Sequence, residues 1–285
     1  MITAPFDYQS PKSVTEAVSL LEQYGSNAKI LAGGQSLIPL MKLRLAEPEI
    51  LIDLADIASM SHIEKKNSGL VIGGMTTYSE IELSSIVPKA LSEAAGLVAD
   101  PQVRNRGTIG GSLAHSDPAA DLPAPIIALD GQIIATSKSG ERTISSEDFF
   151  TDLFSTALTD EELLTEVYIP DPLPATGTAY CKFGNKASHY AIAGVAASLT
   201  VDASGTCTRA RIGVTGTGPS AYRAIKAETI LVGRKLDQDS IEEAGANILE
   251  STSVNEDVHA SSEYRAHLTK VYAVKALVSA SSRVK

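Results

Sequence analysis

The sequence predicts an α+β protein, and three observations carry that prediction. A capped helix is followed by two apolar strand candidates, residues 29–32 and 50–53, with a double glycine just after the first. Short strand candidates and further glycines fill the middle of the chain. Two longer candidates, 193–201 and 209–215, are then succeeded by three helical stretches instead of alternating with them.

The first helix begins with Ser13 and Glu16 in the S-x-x-E capping arrangement. Val14, Ala17, Val18, Leu21 and Tyr24 follow at helical spacing, and Gly25 stops it after about three turns. Together with 29–32 and 50–53 it forms a small α/β unit, residues 1–55. A middle section, 56–175, opens with a strand at 70–72; Gly73 and Gly74 beyond it read as an ordinary turn. Thr77 and Glu80 can cap a helix, and 89–98 is helical. The polar, glycine-rich passage 100–120 is too long and too specific to be a mere connector. Asp130 and Gly131 mark a tight turn between the apolar runs 126–129 and 132–136.

Prolines 170, 172 and 174 with Gly177 read as a linker, so a last section, 176–285, starts near Ala179. Residues 202–205 join its two strands as a hairpin. Gly216, Thr217, Gly218, Pro219 is a turn leading into a helix. Helices are expected over 222–231, 240–250 and 261–279, the last with Tyr264, Leu268, Val271, Tyr272, Val274 and Val278 on nearly one face.

Composition excludes several functions. Among 285 residues, 24 Lys plus Arg stand against 34 Asp plus Glu, a formal charge of −10, so the cationic surplus of a nucleic-acid binder is missing. No Trp, five Phe and nine Tyr make a base-stacking platform unlikely as well. No apolar run approaches the ~20 residues of a membrane span. Pro5 and Asp7 disagree with a signal peptide, which makes the cytoplasm the expected location. Cys181 and Cys207 form no Cys-x-x-Cys pair, and His62, His115, His189, His259 and His267 never fall at His-x-x-x-His spacing. No protein-bound metal is expected, and both cysteines read as small buried apolar residues.

Two segments share one design: Ala32, Gly33, Gly34, Gln35, Ser36, and Thr108, Ile109, Gly110, Gly111, Ser112. Each closes an apolar stretch with two glycines and then places a hydroxyl nearby. Without a Cβ in the way, consecutive N–H groups can converge as an anion-holding nest, so two facing loops can hold a diphosphate. Neither loop is a Walker A sequence and no G-x-G-x-x-G occurs. The nearest approach, at Gly216, places Pro219 where the loop needs an N–H, and Glu228 lies too early to be the ribose acid.

The passages AGGQSLIPLMKLR (32–44) and RNRGTIGGSLAHSDPAADLPA (104–124) resemble the two signature segments of the FAD-binding medium subunits of molybdenum hydroxylases. That family includes carbon monoxide dehydrogenase medium subunits and the flavin domain of xanthine dehydrogenase. IGGMTTYSEIE (72–82) and CKFGNKASHYAIAGVA (181–196) extend the match over most of the chain. The resemblance implies a two-lobed FAD-binding domain of the vanillyl-alcohol-oxidase/PCMH type, then a C-terminal domain with an antiparallel sheet and helices. It assigns the diphosphate and adjoining sugar groups to Lys29, Ile30, Leu31, Ala32, Gly33, Gly34, Gln35 and Ser36, and to Thr108, Ile109, Gly110, Gly111 and Ser112. Val98 lines the pocket, Asp121 accepts hydrogen bonds from the cofactor, Leu164 packs against it, and Lys182 stands near the flavin. Departures at Gln35 and Ser112 keep hydrogen-bonding capacity.

Each of three residues has a second reading. Asp121 can cap the helix that Leu122 starts, Lys182 can be a surface charge, and Tyr190 is either a cover over one flavin face or core packing. By resemblance, molybdopterin and [2Fe–2S] clusters sit on a large and a small partner subunit in a dimer of heterotrimers, and the flavin is this chain's only redox centre. Two distant cysteines cannot hold a cluster here. Two other functions stay open: a stand-alone FAD-dependent oxidase, for which no acid/base constellation appears, and a non-enzymatic nucleotide-binding protein.

Overall fold

The computed structural model describes residues 2–249 and 252–284. Its first layer contains β1 (Asp7–Gln9), α1 (Val14–Tyr24), β2 (Ala28–Leu31), α2 (Leu37–Lys42) and β3 (Ile50–Asp53). The strands pair in parallel in the order β1-β3-β2. Ser13 accepts the Glu16 N–H at the start of α1, and Gly25, at φ +52°, ends it. Ala17, Val18 and Leu21 bury one face of α1 with Ile50, Ile52 and Leu54, and this packing holds a helix too short to persist alone.

The middle layer runs through β4 (Ile63–Lys66), β5 (Gly69–Gly73), α3 (Tyr78–Leu83), α4 (Lys89–Leu97), α5 (Pro101–Arg104), α6 (Ile109–His115), α7 (Pro123–Ala128), β6 (Gln132–Ser137), β7 (Gly140–Ser145), α8 (Ser146–Phe149), β8 (Phe150–Asp152), β9 (Ser155–Thr156) and β10 (Leu163–Pro170). Its five-stranded sheet is antiparallel, ordered β4-β5-β10-β6-β7. Thr77 and Glu80 close a full capping box at α3. The core gathers Ile72, Ile81, Leu91, Ile109, Leu113, Leu122, Ile126, Ile133 and Val167.

In the last layer β11 (Thr176–Gly184), β12 (Ala191–Val201), β13 (Cys207–Thr215) and β14 (Tyr222–Arg223) pair antiparallel in chain order, followed by α9 (Ile225–Leu231), α10 (Gln238–Ala246) and α11 (Ser262–Ser281). Val195, Ala197 and Leu199 of β12 pack with Leu231, Ile241, Ala276 and Leu277. Ala196 meets Ala90, Ala94, Ala124 and Ala128 of α4 and α7. Covered on both faces, β12 is almost continuously apolar instead of alternating. Ion pairs fasten this layer to the middle one: Arg209 and Arg211 meet Asp130, Arg223 meets Glu147, and Arg283 meets Glu93 at 2.6 Å.

Several expectations change. The passage 100–120 contains α5 and α6, so the second glycine pair lies in the first turn of a helix capped by Thr108, not in a loop. The apolar run before Asp130 is α7, whose two prolines fall in its first turn, where a missing N–H costs least. Asp130 does turn the chain: at φ +50° it precedes Gly131, whose N–H returns to the Ile126 carbonyl at 2.8 Å, a Schellman-type closure. The turn at Gly216 leads first into β14, and α9 begins only at Ile225. The helix expected over 240–250 is α10; Glu250 lies outside the described residues. In α11 the buried face is Arg265, Leu268, Thr269, Ala273, Ala276, Leu277 and Ala280, while Tyr264 and Val278 are exposed. Small and polar residues pack there because Arg265 bonds the Ile192 and Gly216 carbonyls and Thr269 bonds Thr217, which an apolar pattern cannot reveal. Among the described residues no helix is long and apolar enough to cross a membrane.

Candidate cofactor site

A cleft of about 450 Å³ opens between the first and middle layers, within the size range of small-molecule sites. One wall is the segment linking β2 to α2. The parallel pairing of β2 with β3 brings Lys29 and Ile30 to the cleft, and Ala32, Gly33, Gly34, Gln35 and Ser36 continue it. Gly34 adopts φ +73°, the left-handed turn that lets α2 start at Leu37. Among the described residues, no protein acceptor takes the N–H of Gly33, Gly34, Gln35, Ser36 or Leu37. The Gln35 side chain bonds within the segment, Nε2 donating to the Gly33 carbonyl at 3.3 Å.

The opposite wall carries Thr108, Gly110, Gly111 and Ser112. Its chemistry differs from the first. The Ile109 N–H donates to the Thr76 carbonyl, the Gly110 N–H to the Gly74 carbonyl at 2.9 Å, and the Gly111 N–H to Thr108 Oγ1 at 3.1 Å. The expectation of two equal anion nests is therefore corrected: the donors of the second are consumed inside the protein, and only the first leaves its own open.

The two walls meet backbone to backbone. A methyl group at Gly33 would overlap the Arg106 carbonyl oxygen and stand 2.7 Å from Gly107 Cα; one at Gly110 would stand 2.6 Å from the Gly74 oxygen. Gly73 and Gly74 do enter a turn, the Thr76 N–H donating to the Gly73 carbonyl at 3.0 Å, and they also pack closely against backbone. A side chain at Gly73 would overlap the Met60 carbonyl, and Gly74, which lines the cleft, would meet the Leu164 carbonyl at 2.6 Å. A third hydroxyl-bearing cradle is absent there, but close backbone packing is not.

Leu164 lines the cleft; Leu31, Ile109, Val98, Asp121, Lys182 and Tyr190 do not. Ile109 is fully buried in the middle core and Val98 packs at that core's edge. Asp121 and Lys182 form a separate buried cluster. The Lys182 ammonium donates to Asp121 Oδ2 at 2.8 Å and to the Leu97 and His189 carbonyls at 2.7 Å each, while Tyr180 Oη donates to Asp121 Oδ1 at 2.7 Å. Asp121 gives no cap to α7, and Lys182 is no surface charge, its side chain being 6% exposed. Burial pushes the Asp121 carboxyl up to about 6, against the pull of Lys182 and Tyr180, and pushes the Tyr180 hydroxyl well above its usual range.

Tyr190 is half-exposed, which rules out simple core packing. Burial and the Asp117 charge raise its pKa, against the pull of the nearby Ser36. Tyr78, buried on the cleft wall, is pushed up to about 12, chiefly by burial, against the pull of Ser112. Sequence reasoning assigned no role to Tyr78, Gly74, Phe154 or His115. The last two are ring partners with centroids 5.1 Å apart at the cleft, and Phe154 sits at φ +51°. Tyr78 and Gly74 lie inside the matched IGGMTTYSEIE segment, which was the available signal; nothing in the sequence pairs His115 with Phe154.

Open backbone donors, Lys29 in the lining and the apolar Leu54, Met60, Leu163 and Leu164 suit a ligand with anionic and aromatic parts. A flavin nucleotide meets that description. Among the described residues no group of three or more His, Cys, Asp or Glu could hold a metal ion.

The fold and the cleft thus define a subunit built to hold a dinucleotide-like cofactor between two α/β layers. Residues 4–172 match the family described as the FAD binding domain in molybdopterin dehydrogenase, and residues 178–280 match the CO dehydrogenase flavoprotein C-terminal domain. The chain belongs to the FAD-binding medium subunits of molybdenum hydroxylases, a family of oxidoreductase subunits. It is 38% identical over 283 residues to the 6-hydroxypseudooxynicotine dehydrogenase complex subunit alpha of Paenarthrobacter nicotinovorans, covering 98% of this chain and 96% of that one. It superposes with a TM-score of 0.96 and 40% identity, over 100% of both chains, on carbon monoxide dehydrogenase from Hydrogenophaga pseudoflava lacking the Mo-pyranopterin moiety of its cofactor. Quinoline 2-oxidoreductase from Pseudomonas putida 86 matches with a TM-score of 0.91 and 32% identity over 99% of each chain.

Proposed function

We propose that this chain is the electron-transfer subunit of a heteromeric molybdenum hydroxylase, holding FAD in the cleft between its first two layers. The observation that carries this reading is the run of open N–H groups from Gly33 to Leu37 at a cleft of cofactor size. Those donors and Lys29 bind the diphosphate. Thr108 and Ser112 orient the adjoining sugar groups, and Leu164 closes the apolar side. The Gly33 contact with Arg106 and Gly107 fixes the spacing of the walls. When bound, FAD accepts electrons singly from clusters and releases them in pairs.

In this reading a small subunit supplies two [2Fe–2S] clusters and a large one the molybdopterin site, in a cytoplasmic dimer of heterotrimers, with NAD⁺, a quinone, a cytochrome or oxygen as acceptor. The relatives are named for carbon monoxide, quinoline and 6-hydroxypseudooxynicotine, which agrees with substrate choice residing on another chain. The layers correspond to modules over 1–55, 56–175 and 176–285.

Purified chain should be yellow and release FAD on denaturation. It should pass electrons from a chemical reductant to an external acceptor, yet oxidise no organic substrate alone. A colourless protein that cannot be reconstituted with FAD refutes the reading, and turnover of a small alcohol by the isolated chain would instead make it an oxidase.

A further inference from the structure

We propose that Lys182 is a positioning residue: its ammonium clamps the turn 185–190 to the body of the protein and so holds Tyr190 near Ser36 of the cleft wall. This deepens the cofactor reading above and rests on it for its functional consequence. An ammonium has three N–H donors, and here all three are spent on groups far apart in sequence. They go to the Leu97 carbonyl at the end of α4, to Asp121 before α7, and to the His189 carbonyl in the turn. The first two belong to the packed middle layer; the third is the residue next to Tyr190.

Apart from this clamp, the tie to that layer is the Ala191 N–H at the base of the turn, which donates to the Ala119 carbonyl at 3.1 Å. Lys186, Ala187, Ser188 and His189 are exposed. Its shape comes from its own hydrogen bonds. Asn185 Oδ1 accepts the Ala187 and Ser188 N–H groups at 2.8 and 3.2 Å, and Asn185 N–H donates to the Tyr190 carbonyl at 2.8 Å. These give the tip its form, while its base is set by the Gly184–Ala191 pair of the ladder. His189 is held at φ +60°, a backbone state unfavourable for a non-glycine residue, which aims its carbonyl at Lys182. The β11–β12 ladder runs on past Lys182 through Phe183–Ala193 and, after a register shift, Gly184–Ala191, so the clamp acts on the tip beyond that last pair. Asp121, fixed on its other oxygen by Tyr180, neutralises the ammonium so that the clamp can be buried.

The test is amide hydrogen exchange on the full FAD-free chain, comparing wild type with Lys182→Met. Exchange at Asn185 and His189 should rise about tenfold or more while the paired amides of β12 and β13 stay protected. Trypsin should also cut faster after Lys186. If Lys182→Met does not fold because a carboxylate is stranded, the pair Lys182→Met with Asp121→Leu should show the same local loosening. Unchanged exchange in the turn, or acceleration spread evenly over β11–β13, would overturn the proposal. FAD retention of the wild-type chain is measured separately, so a failure of cofactor binding is told apart from a failure of the clamp.

Discussion

Gly33→Ala tests whether the approach of the two cleft walls is what the double glycine is for. An ordinary carbon contact begins near 3.4 Å, whereas the new methyl would stand 2.7 Å from Gly107 Cα and overlap the Arg106 carbonyl. Both neighbours are backbone, so no side chain can swing aside, and the walls must part by about 0.7 Å or more. Overpacking of this kind costs about 1–3 kcal/mol. Borne by the folded chain, that lowers Tm by roughly 2–12 °C at ~2–4 °C per kcal/mol. Borne on closure around the ligand, it weakens FAD binding roughly 5- to 150-fold. Thermal unfolding of FAD-free protein and flavin absorbance of refolded, FAD-titrated protein separate the two contributions. Gly233→Ala is the control: it lies outside the cleft and has φ +83° but no atom within 4 Å of the added methyl, so it should cost about 1 kcal/mol of stability and leave FAD affinity alone. A Gly33→Ala protein with wild-type Tm and wild-type FAD affinity would refute the argument.

The Asp121 carboxyl, raised in the folded state to about 6 from an ordinary 3.8, should leave a signature in stability against pH. The folded chain holds that proton more tightly, so the group's favourable contribution is complete below pH 4 and is lost as pH rises through 6. Stability of wild type relative to Asp121→Asn, followed by denaturant titration, should fall across that window and level above it; a flat difference would be contrary. Glu228 is buried, accepts Arg223 at 2.7–3.0 Å and the Ile212 N–H at 2.9 Å, and faces Arg211. Glu228→Ala should cost about 1–3 kcal/mol in chemical denaturation, since it strands the buried Ile212 amide while Arg211 and Arg223 keep Asp130 and Glu147; a loss under about 1 kcal/mol would show the network is dispensable. Gln35→Ala should leave FAD retention within about threefold of wild type, because that side chain bonds only within its own segment; abolished binding would mean that the side chain, not the backbone, supplies the donors.

Local signals in the sequence were largely legible. Ser13 with Glu16 and Thr77 with Glu80 announced α1 and α3, and both caps formed because they satisfy donors within four residues of themselves. Legibility failed where distant partners decide. The face of α11 was misassigned because Arg265 and Thr269 are buried against carbonyls and hydroxyls from β12 and the Gly216 turn, whereas Val278 has nothing to cover it. The same holds at the site. Gly33, Gly34 and Gly110 were readable as glycines needed for close approach, but what they approach could not be read. Lys182 was placed by resemblance near the flavin, yet its three donors all belong to the protein.

The two glycine pairs carry the sharpest form of this lesson, because alike in sequence they do different work. At Gly110 and Gly111 the chain enters α6 directly, and Thr76, Gly74 and Thr108 take the first-turn donors, so this pair serves the packing of β5 against α6. At Gly33 and Gly34 the left-handed Gly34 delays the entry into α2, and the donors from Gly33 to Leu37 stay open. The segment 33–37 is partly exposed, so water can reach its open donors until a ligand covers them. A segment that keeps several open at the edge of a cleft is therefore tolerable only with water or an anionic partner supplying the acceptors. A hydroxyl after two glycines cannot distinguish these cases; where the preceding backbone hydrogen bonds go can. The first segment alone has the electrostatics of an anion site, and the second acts on the same ligand by setting how far away the opposite wall stands.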